Sequence, residues 1–303
     1  MKYLEEYSRR GLTYDADALN AIAGALHTDR RIFHLWGAPI RPYEPSLAGC
    51  HRPIEIAVLW SHQQPARRRI GFPSWSSIGW EGQISWLGTF KPSEQDSICI
   101  RHAKAGDLFL HQFPVRVLTN MDSADISQYL EITASSASFA VANSSQIMFS
   151  TDQAPKFPKD CMVVSLPWRH NTLVFFRPHW DIASFELESG THLKGIRLRS
   201  KYVDFWGKDF EVVLLVVPHD DHYERVGIFK LPVSHQALFG QHRETDKVTQ
   251  LDSYVVCDTD LQQQTLEEVD KICRSDTDLI SYFYSPTERY WEERFVRETI
   301  VLG

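Results

Sequence analysis

Between residues 108 and 230, short runs rich in Val, Ile, Phe and Tyr are separated by Gly, Pro, Asn, Asp and Ser at intervals too brief for ordinary helices. The pattern predicts strands at Leu108–Leu118, Tyr129–Thr133, Ser138–Ala142, Gln146–Ser150, Met162–Leu166, Thr172–Arg177, Ser184–Leu187, Leu193–Leu198, Phe210–Val217 and Glu224–Phe229. Many short strands in succession can bury their apolar faces only by pairing as an antiparallel sandwich or barrel. The apolar run Val212–Val217 reads as a buried strand, and Pro218–His222 as the hairpin connection that follows it. Further short strands are expected at Ile84–Leu87, Ser97–Arg101 and Glu298–Leu302, and a strand or short helix at Ile54–Trp60.

Helical periodicity occurs near both ends of the chain. Over residues 15–27, Leu19, Ile22, Ala23 and Leu26 form one apolar face, with Asp15 as the expected N-cap. Part of that face is expected to be exposed. Over Asp260–Arg274, Leu261, Leu266, Val269 and Ile272 share a side. The Pro-rich stretch Trp36–Pro53 reads as a long irregular connection. The expected fold class is α+β, predominantly β: an antiparallel sandwich or barrel with a short N-terminal helical segment and a C-terminal helix. Residues 1–90 would form the helix and a Pro/Trp-rich segment, and 91–303 a β-rich domain with a helix near 260–274; the alternative is one continuous domain.

Composition narrows the class. With 43% hydrophobic and 23% charged residues among 303, the chain suits a globular protein with a substantial core. No apolar run approaches the ~18 residues of a membrane span, and the first ten residues lack the apolar core of a secretory signal. Five cysteines, an odd number with no CxxC, predict reduced thiols and a cytoplasmic protein. Residues 244–303 carry fourteen Asp/Glu against six Lys/Arg, which argues against nucleic acid as the main partner.

The densest local signal is Arg67–Trp86, RRRIGFPSWSSIGWEGQISW. Pro73, Gly79 and Gly82 punctuate the backbone, while Trp75, Trp80 and Trp86 bring three of the nine tryptophans into twelve residues. Large aromatics between turn residues predict a packed corner built on Pro73, Ser74, Trp75, Ser76, Gly79, Trp80, Gly82 and Trp86. The alternative is a solvent-facing stacking platform for a ligand or base.

Four pieces stand in one collinear order: Tyr7-Ser8-x-Arg10-Gly11-Leu12-Thr13 with Asp17 and Leu19; His34-Leu35-Trp36-Gly37-x-Pro39-Ile40; Leu59-Trp60-Ser61-His62; and Phe72-Pro73-Ser74-Trp75-Ser76-Ser77-Ile78-Gly79-Trp80-Glu81-Gly82. This series resembles the region that follows the HET domain in fungal heterokaryon incompatibility proteins. The family pattern has a Trp where this chain has Ser77. Later echoes are limited to Arg225-Val226-Gly227 and Glu298–Gly303. The resemblance implies a role in self/non-self recognition. It implies no activity of the HET domain itself, which would precede this region and for which no upstream strand–loop pattern is present.

Candidate chemistry is sparse. His219-Asp220-Asp221-His222 offers two imidazoles and two carboxylates to a metal, but in a turn and without the usual zinc spacings, so a solvated hairpin tip is expected. Arg67, Arg68 and Arg69 could contact an anion; a solvated loop or salt bridges onto the acidic C-terminal region is the expectation. There is no GxSxG, Walker loop, GxGxxG or HExxH. The sequence therefore points to a non-catalytic regulatory or interaction region without a cofactor. Its expected partner is a protein, either a full-length HET-domain relative or a second copy of itself. A β-rich module for a glycan or small metabolite is the alternative, and a hydrolase ranks last.

Overall fold

The computed structural model describes residues 2–26, 33–40, 58–87, 97–102, 106–109, 126–143, 162–167, 172–176, 178–182, 187–203, 209–232, 254–258 and 295–303. The described chain is mostly β, with few helices and one large mixed sheet.

The N-terminal part is built from small pieces. Helix α1 spans Lys2–Ser8, and a 3-10 turn at Asp15–Asp17 leads into α2, Ala18–Leu26. A hairpin follows, β1 (Phe33–Leu35) with β2 (Ala38–Ile40). The expected irregular connection thus begins as a tight turn at Trp36-Gly37, where both residues have positive φ. Strands β3 (Trp60–His62), β4 (Arg67–Arg68), β5 (Trp80–Glu81) and β6 (Ile84–Trp86) form two small antiparallel pairs, β3 with β6 and β4 with β5.

The large sheet contains β7 (Ser97–His102), β8 (Gly106–Phe109), β9 (Ile126–Asn143), β10 (Met162–Pro167), β11 (Thr172–Phe176), β12 (His179–Trp180), β13 (His192–Val203), β14 (Asp209–His219), β15 (His222–Pro232), β16 (Tyr254–Asp258) and β17 (Val296–Leu302). The two strands expected at Tyr129–Thr133 and Ser138–Ala142 are one 18-residue strand, β9. The Ala-Ser-Ser-Ala between them continues the ladder because other strands pair along it: β17 lies against Leu130–Ser136 and β13 against Ser135–Ala140. From β9 the pairing runs through β13, β14, β15 and β17 and returns to β9. The strands expected at Gln146–Ser150 and Ser184–Leu187 lie almost wholly outside the described residues, as does the helix at Asp260–Arg274.

Both faces of β14 are buried, as its unbroken apolar run anticipates. Val212, Leu214 and Val216 enter one cluster with Ile132, Ile196, Ile228 and Ile300. Val213 and Leu215 enter another with Phe139, Phe176 and Phe229. The first cluster also includes Leu35, Ala38, Val58, Leu59 and Trp75, so the N-terminal pieces and the large sheet share one core.

One expectation about the N-terminus changes. Asp15 does not cap the helix: Tyr14 stands at the cap of the 3-10 turn without a side-chain cap bond. The apolar face of α2 is covered in part: Ile22 and Leu26 are buried with Leu4 and Ile78, while Leu19 and Ala23 are half-buried. Helix α1, absent from the sequence expectations, is too short to persist alone. It is held by β6, where the backbone N–H groups of Ile84 and Trp86 donate to Ser8 Oγ (3.0 Å) and a Glu5 carboxylate oxygen (3.0 Å).

Candidate functional site

The Pro-Ser-Trp-Ser segment is a corner in the literal sense. Pro73, Ser74, Trp75, Ser76, Gly79 and Trp80 are all buried; Gly82 and Trp86 are half-buried. The Ser76 backbone N–H donates to Pro73 O (3.2 Å) and that of Gly79 to Ser76 O (3.0 Å). The turn brings position 79 against the Pro73 carbonyl, leaving no room for a Cβ there.

Trp60, Trp75 and Trp80 each spend the indole N–H on a backbone carbonyl, whereas the buried Trp86 Nε1 has no partner among the described residues. Trp75 Nε1 donates to Gln128 O (2.8 Å), Trp80 Nε1 to Ser74 O (2.8 Å) and Trp60 Nε1 to Trp75 O (3.3 Å). A buried indole needs such a partner, and here the partners lie on different elements. Trp75 and Trp80 expose almost no surface, so they form no stacking platform.

Ser74 joins the corner to two distant segments. Its backbone N–H donates to Gly303 O (2.8 Å), and its hydroxyl also bonds that carbonyl while accepting from the Arg225 backbone N–H (2.9 Å). Gly303 N–H in turn donates to Tyr223 O (2.9 Å).

Below Ser74 lies a buried charge network. Arg225 Nε donates to Asp181 Oδ2 at 2.7 Å, and His62 Nδ1 lies 2.8 Å from Asp181 Oδ1. Arg225 also donates to Val58 O (2.7 Å) and Trp60 O, and its guanidinium lies 3.4 Å from the centroid of the Trp60 ring. All three titratable side chains are fully excluded from solvent. Burial raises the Asp181 carboxyl, but the Arg225 charge and the bonds from His62 and Arg225 outweigh it, holding the group below its ordinary value. Burial draws the Arg225 guanidinium downward, partly offset by Asp181. A buried pair is tolerable only when its remaining donors are satisfied, and the two carbonyls do that for Arg225. His62 with Asp181 has the form of a base and its orienting carboxylate. Yet the imidazole is sealed between Trp60 and Trp80, ring centroids 5.0 and 5.8 Å away, so a substrate reaches it only if the corner opens.

The three arginines serve the same assembly. Arg67 pairs with Asp15 (2.9 Å) and Glu81 (2.7 Å) on the surface. The bond from Arg67 is the main cause holding the Asp15 carboxyl below its usual range. Arg68 donates to Phe72 O (2.6 Å), Arg69 O (2.7 Å) and Gly79 O (3.0 Å) and reaches Glu224 at 3.3 Å. Buried Arg69 holds Asp15 (3.2 Å), Ile78 O (3.1 Å) and Trp80 O. Among the described residues their carboxylate partners are therefore Asp15, Glu81 and Glu224, none of which lies in the acidic C-terminal region.

His219, Asp220, Asp221 and His222 form a two-residue hairpin tip, with Asp220 at positive φ. The two rings stand 5.1 Å apart, and His222 Nδ1 faces its neighbour Asp221 at 3.1 Å. No group of three or more His, Cys, Asp or Glu among the described residues is arranged to hold a metal ion. No helix among them is long and apolar enough to cross a membrane.

Sequence reasoning singled out the corner, and the pieces containing His62 and Arg225, but missed Asp181. The one available hint was a carboxylate directly after the aromatic pair His179-Trp180, at the end of an apolar stretch. No known protein family, curated protein or solved structure matches this chain.

Proposed function

We propose that this chain is a non-catalytic interaction region of the kind that follows the HET domain in fungal heterokaryon incompatibility proteins. It scaffolds or restrains partners through protein contacts. The observation that supports the reading is convergence. Residues from every quoted piece meet at one assembly: Ser8 on β6, Trp36 O accepting from Ser76 Oγ (2.5 Å), Trp60 and His62 around Arg225, and Gly303 on Ser74. Separate motifs keep a fixed order for a physical reason when each completes the hydrogen bonding of another. Here they form a rigid structural lock, which suits a scaffold.

The finer fold reading proposed with it is a closed barrel formed by β9, β13, β14, β15 and β17, with the corner sealing its core. The pairing of β15 with β17, Tyr223 opposite Leu302 with the Gly303 N–H donating to Tyr223 O (2.9 Å), supports closure.

The test is a pull-down of the purified chain with full-length HET-domain proteins, together with sedimentation of the chain alone. Binding to such a protein, or self-association, is the expected outcome. A chain that does neither is not a regulator of this kind.

A further inference from the structure

Helix α1 does not lie flush on the corner. A narrow crevice remains beside it, lined by Tyr7, Ser8, Arg69, Ser77, Ile78 and Trp80 among others. Its usable space is about that of one water molecule. One polar atom on its wall is anomalous: Tyr7 Oη is buried, and no described residue donates to it or accepts from it. A buried hydroxyl without a partner is unfavourable, because it gives up the hydrogen bonds it makes in water. The rest of the wall is not purely apolar, because Arg69, itself buried, and Ser77 line the same space.

We propose that this crevice is a binding site for one small hydrogen-bond acceptor, a water molecule or a halide ion, anchored on Tyr7 Oη. The assignment goes beyond the interaction role proposed above and stands independently of it. Size favours a single small occupant: a halide is somewhat larger than water and enters only with a slight outward shift of the wall, and a carboxylate or phosphate needs more room still. Electrostatics favours an acceptor. Burial pushes the Tyr7 phenol upward, so it keeps its proton and donates at neutral pH; the Arg69 and Arg10 charges partly offset that push, and Asp17 adds to it. The hydroxyl can both donate and accept, so a water bridging Tyr7 and the Ser77 or Arg69 side chain meets the two-to-four partners a buried water needs. A halide would use the same donors. Either occupant would tie α1 to the corner at a place where direct contact is missing.

The deciding experiment is a high-resolution crystal structure of the full chain grown in bromide, with data collected at the bromine edge, beside the same structure of Tyr7→Phe. Ordered density about 3 Å from Tyr7 Oη is expected in the first and not in the second. An anomalous peak there assigns a halide; density without one assigns water; both support the site. Three outcomes overturn it: no ordered density in the crevice, a phenol hydroxyl bonded to a protein group, or density that persists unchanged in Tyr7→Phe. If the variant fails to crystallise, a bromide titration of the wild-type melting temperature against a sulfate control at matched ionic strength, repeated on Tyr7→Phe, separates the arms. A bromide-specific rise lost in the variant supports a halide. A rise that survives the substitution overturns the halide arm and leaves the wild-type density to decide for or against water.

Discussion

Arg225 Nε and Asp181 Oδ2 stand 2.7 Å apart with neither side chain touching solvent. Arg225 lies on β15 and Asp181 just beyond β12, and the Asp181 backbone N–H also donates to Val226 O (2.8 Å). The pair and the backbone bond beside it hold the two strands in register under the corner.

Breaking this pair from one side leaves a buried charge with no counter-charge. Arg225→Met or Asp181→Asn should each cost about 3–5 kcal/mol by urea denaturation. The double variant should lose clearly less than the sum of the two, because it removes both charges together. An additive cycle would show that the residues act separately. By contrast, Arg67→Ala removes only a solvent-exposed pairing with Asp15 and Glu81 and should leave the denaturation midpoint nearly unchanged.

The acid side of the stability curve follows from the same carboxylate. Its folded-state pKa is depressed, so at low pH the unfolded chain takes up the proton first. The stability it contributes is fully present above the unfolded Asp value of about 3.9 and is lost as pH falls through the folded value. Wild-type stability should therefore decline below about pH 4. In Asp181→Asn that part of the slope should vanish, giving a flatter acid limb from a lower plateau. Parallel limbs in the two proteins would contradict this account.

Trp75 and Trp80 should be shielded from a neutral fluorescence quencher. Trp75→Phe and Trp80→Phe should each destabilise the protein by roughly 1–3 kcal/mol, since each removes the indole donor from a carbonyl, half-buried Gln128 O or buried Ser74 O. Ready quenching of either residue, with stability unchanged, would mean that the corner is a surface and not a lock.

Gly79→Ala tests the turn itself. An added Cβ would press on the Pro73 carbonyl, a backbone group that cannot swing aside. A loss of about 1–3 kcal/mol is expected, on the scale of an overpacked core. Gly71→Ala changes a position with open space around it, so any cost there comes only from its φ of 91°. The smaller loss is expected at Gly71, and thermal melts of the two variants make the comparison.

The β-rich character was legible because period and punctuation are local properties. Met162–Leu166, Thr172–Arg177 and Ile84–Leu87 match strands within a residue or two, and the hairpin at Pro218–His222 turns at Asp220-Asp221. The 18-residue β9 was not legible, because its Ala-Ser-Ser-Ala centre has no strand signature of its own and is extended by the strands on either side. Asp15 read as a helix cap since local pattern rewards an acid there. Its actual partners, Arg67 and Arg69, are more than fifty residues away. Asp181 carried almost no signal for a similar reason: a single carboxylate becomes significant only when folding places an arginine beside it.

The sequence by itself determined that this chain folds around β-strands and that Arg67–Trp86 makes a corner, because side-chain alternation, proline and glycine act over a few residues. Only the tertiary structure decided what the corner is fastened to. Ser74, His62, Asp181, Arg225 and Gly303 are joined by hydrogen bonds and buried charge between segments far apart in the chain. Those bonds gain their strength from exclusion of water, which exists only once the strands have closed over them.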